Sequence, residues 1–256
     1  MLLTVTDPDG NVIRRLGGPA AAGIHRVSWD LRFPPADPAR LEPPPTDNPF
    51  FSPPIGPMVA PGTYSVSLAR RIDGKSEALS GPQSFEALPL GTATLPAEDR
   101  PAQLAFQRQT ARLQRAVMGA LRAAGEAKTR LDHLQAALAD TPAADPAWRE
   151  EVRALKLRLA DLDVKLSGDD TIANRNEPTP PSIVERVQRV VFGHWVTTSA
   201  ATRTQRDAYD VAAREFAPVL EQLRALIEVD LAGLEARMEA AGAPWTPGRV
   251  PRWAPE

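Results

Sequence analysis

FQRQTARLQRAVMGALRAAGEAKTRLDHLQAAL, residues 106–138, sets Phe106, Thr110, Leu113, Val117, Ala120, Ala124, Ala127, Leu131, Leu134 and Leu138 three or four positions apart. An α-helix turns once in about 3.6 residues, so this spacing gathers the side chains on one face. Small residues at Ala120, Ala124 and Ala127 let a partner helix approach closely. The stretch predicts a coiled-coil-like helix of about 35 residues that begins near Pro101.

Toward the C-terminus the same period returns three times. Asp140 to Pro146 interrupts the first helix, and Asp145-Pro146 can cap the next. That second helix carries Trp148, Val152, Leu155, Leu159, Leu162 and Leu166, and Gly168 ends it. The short connection predicts an antiparallel hairpin with Leu155, Leu159 and Leu162 in its core. Residues 169–181 read as a polar crossover. A third helix starts after Pro181 with Ser182 as its cap and Ile183, Val187, Val190 or Val191, and Trp195 on one face. After a break at Thr197 to Thr202 a fourth helix carries Tyr209, Ala212, Phe216, Leu220, Leu223, Ile227, Leu231, Leu234 and Met238. Pro218 should kink or interrupt it, and Gly242 suits its C-cap. Four helices over residues 96–242 make an antiparallel bundle the economical expectation. The alternative packs one hairpin on the N-terminal half and leaves the other extended.

Before residue 90 the period changes from helical to alternating. Leu3 and Val5, then Val12, Ile13 and Leu16, flank the turn Asp7-Pro8-Asp9-Gly10-Asn11. Ile24 to Leu31 alternates, with His25, Val27 and Trp29 on one side. Tyr64, Val66 and Leu68 alternate after Pro61-Gly62, and Asp73-Gly74 turns the chain into Ser76 to Leu79 and then Gln83 to Leu88. About five short strands predict a small immunoglobulin-like β-sandwich over residues 1–95, with Trp29 and Tyr64 in its core. A loop from 33 to 61 holds about eleven prolines, which lack the donor a central strand needs. Phe50, Phe51, Ile55 and Met58 either pin that loop down or form part of a polyproline-type recognition surface.

The 256 residues carry a net charge of -2 and no cysteine. No basic footprint argues for nucleic acid, and no apolar run is long enough to span a bilayer. Disulfides, thiolate metal sites and a cysteine nucleophile are excluded. Met1 to Thr6 reads as a strand in progress with no signal peptide, so the natural start is expected upstream.

Sites of chemistry are sparse. His25, His133 and His194 share no metal-ligand spacing. His133 falls outside the helical seam, and His194 is expected to cap or pack beside Trp195. Asp7 to Asn11 lacks the downstream ligands of a calcium loop. Glu150-Glu151, Asp161 with Asp163, and Asp169-Asp170 are paired carboxylates, but they read as helix-start, solvated-flank and loop residues. No catalytic, cofactor-binding or metal residue is assigned. Trp245 and Trp253 are expected to dock a Pro/Trp strap, residues 243–256, onto the helices; a partner-binding peptide is the other reading.

Pro178-Thr179-Pro180-Pro181-Ser182-Ile183-Val184-Glu185-Arg186-Val187 and Ala241-Gly242-Ala243-Pro244-Trp245-Thr246-Pro247-Gly248-Arg249-Val250-Pro251 resemble the C-terminal region of large bacterial β-propeller proteins. These have sortilin-like or BNR-type repeats and often carry the label glycosyl hydrolase. Asp7-Pro8-Asp9-Gly10, Val27-Ser28-Trp29-Asp30 and Ala60-Pro61-Gly62-Thr63-Tyr64 resemble the immunoglobulin-like domain of the flagellar hook-capping protein and of bacterial surface enzymes. The resemblance implies an upstream propeller that holds any ligand or glycan site, and an exported protein, periplasmic, outer-membrane-associated or secreted. This chain would then be a non-catalytic accessory or interaction module. The alternatives are the wall of a glycosidase-type active site whose catalytic propeller lies upstream, and a self-associating coiled-coil adaptor.

Overall fold

A computed structural model describes every residue except 44, 46, 49, 50, 252 and 254–256. Phe50 of the proline-rich loop and Arg252 of the tail therefore lie outside the described residues. The protein is mixed α and β, a four-stranded antiparallel sheet followed by helices. It divides into two compact units, Met1–Arg112 with Val190–Gln205, and Leu113–Arg189 with Arg206–Glu256.

In the first unit the strands are β1 (Leu2–Thr6), β2 (Val12–Gly17), β3 (Gly62–Ile72) and β4 (Lys75–Ala87), ordered β2-β1-β3-β4. The turn between β1 and β2 is closed by Asp7, whose carboxylate accepts the Asn11 N–H at 2.8 Å while Gly10 takes φ 82°. Asp73 and Gly74, at φ 49° and 78°, make the two-residue turn that joins Ile72 to Lys75. Positive φ at both positions suits the right-handed twist of the flanking strands.

The C-terminal strand is continuous where two short ones were expected. It runs through Gly81 and Pro82 by slipping register opposite Val66 to Leu68. Proline is tolerated because β4 is an edge strand, with no ladder partner on its outer side.

Ile24 to Leu31 is not a strand, and the described residues form one sheet. Its alternation buries nothing at Ile24, which is fully exposed, and Leu31 takes φ 58°. The segment across from it, 33–61, is too rich in proline to supply donors for a second ladder. Pairing stops at a single bridge, Arg32 with Met58. Side chains cover the sheet instead. Trp29 and Phe33 pack with Val5, Ile13, Val59, Tyr64 and Ala87. The Trp29 ring stands edge-on to Tyr64 at 5.9 Å and to Phe85 at 6.1 Å, an arrangement favoured by the ring quadrupoles. Trp29 Nε1 donates to the Arg32 carbonyl at 3.0 Å, so its polar end is satisfied.

The first helix, α1 (Arg100–Ala137), starts on Asp99, whose carboxylate accepts the Ala102 N–H. Its opening turns belong to the first unit and bury Phe106, Gln107 and Thr110. The end of α4 (Ile183–His194) belongs there too, with Val190, Val191, His194 and Trp195 buried.

The second unit holds the rest of α1, α2 (Ala147–Ser167), the single turn α3 (Asp170–Ala173), the start of α4, most of α5 (Arg203–Ala225), and α6 (Ala232–Ala240). Val117 to Leu138 of the α1 seam and Val152, Leu155, Leu159, Leu162 and Leu166 of α2 are buried at the predicted positions. Lys156 reaches Asp132 at 2.6 Å, a pairing that needs α2 to run back along α1. Ser182 and Glu185 cap α4 reciprocally, at 2.7 and 3.3 Å. Gly242 ends α6 at φ 70°, with the Ala243 N–H bonded to the Met238 carbonyl.

The fourth predicted helix is not interrupted at Pro218, and its buried positions shift further on. It runs through Pro218, which is exposed, so the freed carbonyl of Arg214 is left on the solvent side. The irregularity lies further on, in a π-helical stretch, Leu226–Leu231. Val219 and Leu226 are buried in place of Leu220 and Ile227, which are half-buried.

Candidate functional site

The concave feature of the first unit is a groove of about 410 Å3 between the end of the sheet, the connection from Leu88 to Pro96 and the first turns of α1. Met58, Ala87, Leu88, Leu90 and Leu104 line it with apolar surface. Its size is in the range of small-ligand sites. Leu88 and Leu90 are 73% and 91% exposed at its mouth, and nearby Leu95 is 78% exposed. Large side chains left this open are unusual in a cluster.

The groove's polar wall is held by α1. Gln103 and Gln107 donate their amide N–H groups to the carbonyls of Thr197 and His194, at 3.2 and 3.1 Å. Ala97 N–H donates to the Thr198 carbonyl at 2.9 Å. These bonds fix the loop after α4. Arg100 is the charged residue of the lining. It is half-buried and has no hydrogen-bond or ion-pair partner among the described residues.

The histidines stand apart. His25 is exposed and bonds the Ala21 carbonyl, and His133 is exposed as expected. His194 is fully buried, its ring 5.6 Å from Phe106 and its Nε2 3.1 Å from the Ser199 carbonyl. That geometry is a packing and loop-holding role. The carboxylate pairs are equally structural. Glu151 pairs with Arg237 at 2.5 Å, and Asp161 and Asp163 are exposed. Asp169 caps α3, and the hydroxyl and N–H of Thr171 hold its carboxyl below the usual aspartate range. Among the described residues no three His, Asp or Glu side chains could hold a metal ion together. No helix of the described residues is long and apolar enough to cross a membrane.

The tail corrects the expectation that its tryptophans dock. Trp245 is 61% exposed and Trp253 86%, whereas Thr246 and Arg249 are buried. Arg249 Nε donates to Thr246 Oγ1 at 3.0 Å, and its guanidinium also bonds the Pro244 carbonyl and pairs with Glu239 at 3.2 Å. A guanidinium can satisfy several acceptors in one plane, which an indole with a single N–H cannot. Trp245 uses that N–H on the Arg249 carbonyl at 2.9 Å and leaves its ring outside.

Beneath the tail lies an ion pair that periodicity did not reveal. Arg130 and Glu235 meet in two bonds, at 2.8 and 2.5 Å, with Glu235 only 5% exposed. Gly248, at φ 94°, lies against it. The groove was missed for a related reason. Leu88 reads as the end of the last strand, and Leu90 and Leu95 fall between the two periods. Their clustering without turn-sealing polar residues was the available signal.

Comparison with protein-family models, with curated proteins and with solved structures finds no match to this chain.

Proposed function

We propose that the chain is a non-catalytic accessory module, the C-terminal part of an exported bacterial β-propeller protein. In this reading the sheet is one layer of an immunoglobulin-like module. The Trp29–Phe33 and Met58–Val59 segments, several of whose side chains pack on the sheet, take the part of its second layer. The helices form an antiparallel bundle around the α1–α2 hairpin, and they support the propeller or mediate its assembly.

One observation carries the non-catalytic part of the reading: the buried histidine, Glu235, Arg249 and two buried threonines are bonded to the fold itself. His194 holds the Ser199 carbonyl, Glu235 holds Arg130, Arg249 holds the tail, and Thr110 and Thr141 bond carbonyls one helical turn back. A catalytic acid or base must be available to a substrate and poised in its titration. These groups are engaged in holding chain segments in place.

The test is the native mass and compartment of the gene product, read by immunoblot of cytosolic, periplasmic and membrane fractions. A product much larger than 27.7 kDa outside the cytosol is expected. A product of 27.7 kDa in the cytosol would overturn the propeller reading. Turnover of aryl glycosides by the isolated chain would overturn the non-catalytic one.

A further inference from the structure

We infer that the groove between the sheet end and the start of α1 binds a small amphiphile made of an apolar chain and one carboxylate. The walls supply the first half of that description. Met58, Ala87, Leu88, Leu90 and Leu104 offer an apolar trough of about 410 Å3, and Leu88 and Leu90 stand open at its mouth. An acyl chain laid in the trough would cover both leucines, removing apolar surface from water on each side of the contact.

Arg100 supplies the second half. It is the charged side chain of the lining and is half-buried, with no ion-pair partner among the described residues. The nearest carboxylate in sequence, Asp99, is engaged by the Ala102 N–H at 2.8 Å. Gln103 and Gln107 have committed amide donors to Thr197 and His194. One guanidinium on an apolar trough matches a monoanion, and its fork matches a carboxylate in particular. A phosphate monoester, nearer two charges at neutral pH, would leave a second charge unmatched by the one cation of the lining. The site stands whether or not a propeller lies upstream, since every residue it uses belongs to the first unit.

The experiment uses the whole chain and two probes of equal length, decanoate below its micelle concentration and decan-1-ol, titrated calorimetrically. Decanoate is expected to bind about fivefold more tightly than the alcohol, the size of a partly screened charge pair. The preference should shrink as salt is raised. Arg100→Gln should erase it. Arg100→Glu should transfer it to decylammonium. Ala93→Trp, at an exposed position of the lining, should weaken both probes by filling the trough. Equal affinity of the native chain for acid and alcohol would overturn the inference, as would no saturable binding of either. So would an Ala93→Trp variant, folded by its melting curve, that binds both probes as the native chain does.

Discussion

The sheet-bearing unit and the helical unit reach order by different routes. The helical unit repeats one solution: a leucine, valine or alanine every three or four residues, fully buried at position after position along α1, α2 and α5. The sheet unit has few such residues. The core on its sheet is Val5, Ile13, Val59, Tyr64 and Ala87, with Phe85 of β4 beside them and Trp29 and Phe33 as the roof. Irregular segments do the covering, and single hydrogen bonds hold them. Arg32 is the plainest case, donating to the Gly56 carbonyl at 3.0 Å and to the Trp195 carbonyl at 2.9 Å. Repetition spreads stability over many equivalent side chains, whereas roofing concentrates it in a few irreplaceable ones.

That contrast is open to direct test, most severely at Leu159. Leu159→Asp puts an unpaired charge in the α2 seam, at a cost of about 5 kcal/mol from lost packing and desolvation together. Helical ellipticity should fall and melt at a lower temperature; an unchanged melt would break the seam account. Next in size, Trp29→Ala removes the ring that meets both Tyr64 and Phe85 and should cost about 2 kcal/mol. Near-ultraviolet dichroism should collapse while helical ellipticity persists. Simultaneous loss of both signals would mean that the units do not differ in the way described.

Smaller effects sharpen the picture. Gly248→Ala would set a Cβ 2.6 Å from Arg130 Nε and 3.0 Å from Glu235 Oε1, at a φ that disfavours any side chain. A loss of about 1–2 kcal/mol in thermal or urea unfolding is expected. Full native stability would show that the tail is not seated on the ion pair. Tyr64→Phe deletes a hydroxyl that donates to the Ala60 carbonyl at 2.6 Å, worth about 1 kcal/mol. Burial, then the charge of Asp7, raises the Tyr64 pKa. Its contribution is therefore complete below the ordinary tyrosine range and is lost as pH rises through the folded value. Tyr64→Phe should flatten that alkaline loss, and an equally steep decline in the variant would assign it to another group.

The smallest effect concerns Asp169. Because its carboxyl is held low, its contribution is present above the ordinary aspartate value and is lost as pH falls through the folded one. Thr171→Val removes the 2.6 Å hydroxyl bond and should raise the carboxyl's titration midpoint by NMR, with the neutral-pH melt nearly unmoved. A midpoint that stays in place would remove Thr171 as the cause.

How far the sequence could be read divides along the same line. The seams of α1 and α2, the Ser182 cap and the Gly242 stop were legible because each depends on residues close in sequence. Ile24 to Leu31 was misread because alternation says which residues could share a face, not whether a neighbouring strand has donors to pair with. The tail was misread because large rings suggested burial, while Arg249 had several acceptors within reach and the indoles did not. Beyond the leucine cluster the groove left no trace in the sequence, because Met58, Leu88 and Leu104 are brought together by the chain's return past the sheet, which no local period records.

The π-helical stretch has a consequence of another kind. Buried apolar positions along α5 and beyond fall at Ala208, Ala212, Phe216, Val219, Leu223 and Leu226, then at Leu231, Leu234 and Met238. Every step is three or four except the one from Leu226 to Leu231, which is five. A wider turn absorbs a single surplus residue without rotating the helix downstream of it. In terms of chain length, Leu226 to Leu231 is the place where the helix could lose one residue and keep Glu235 facing Arg130.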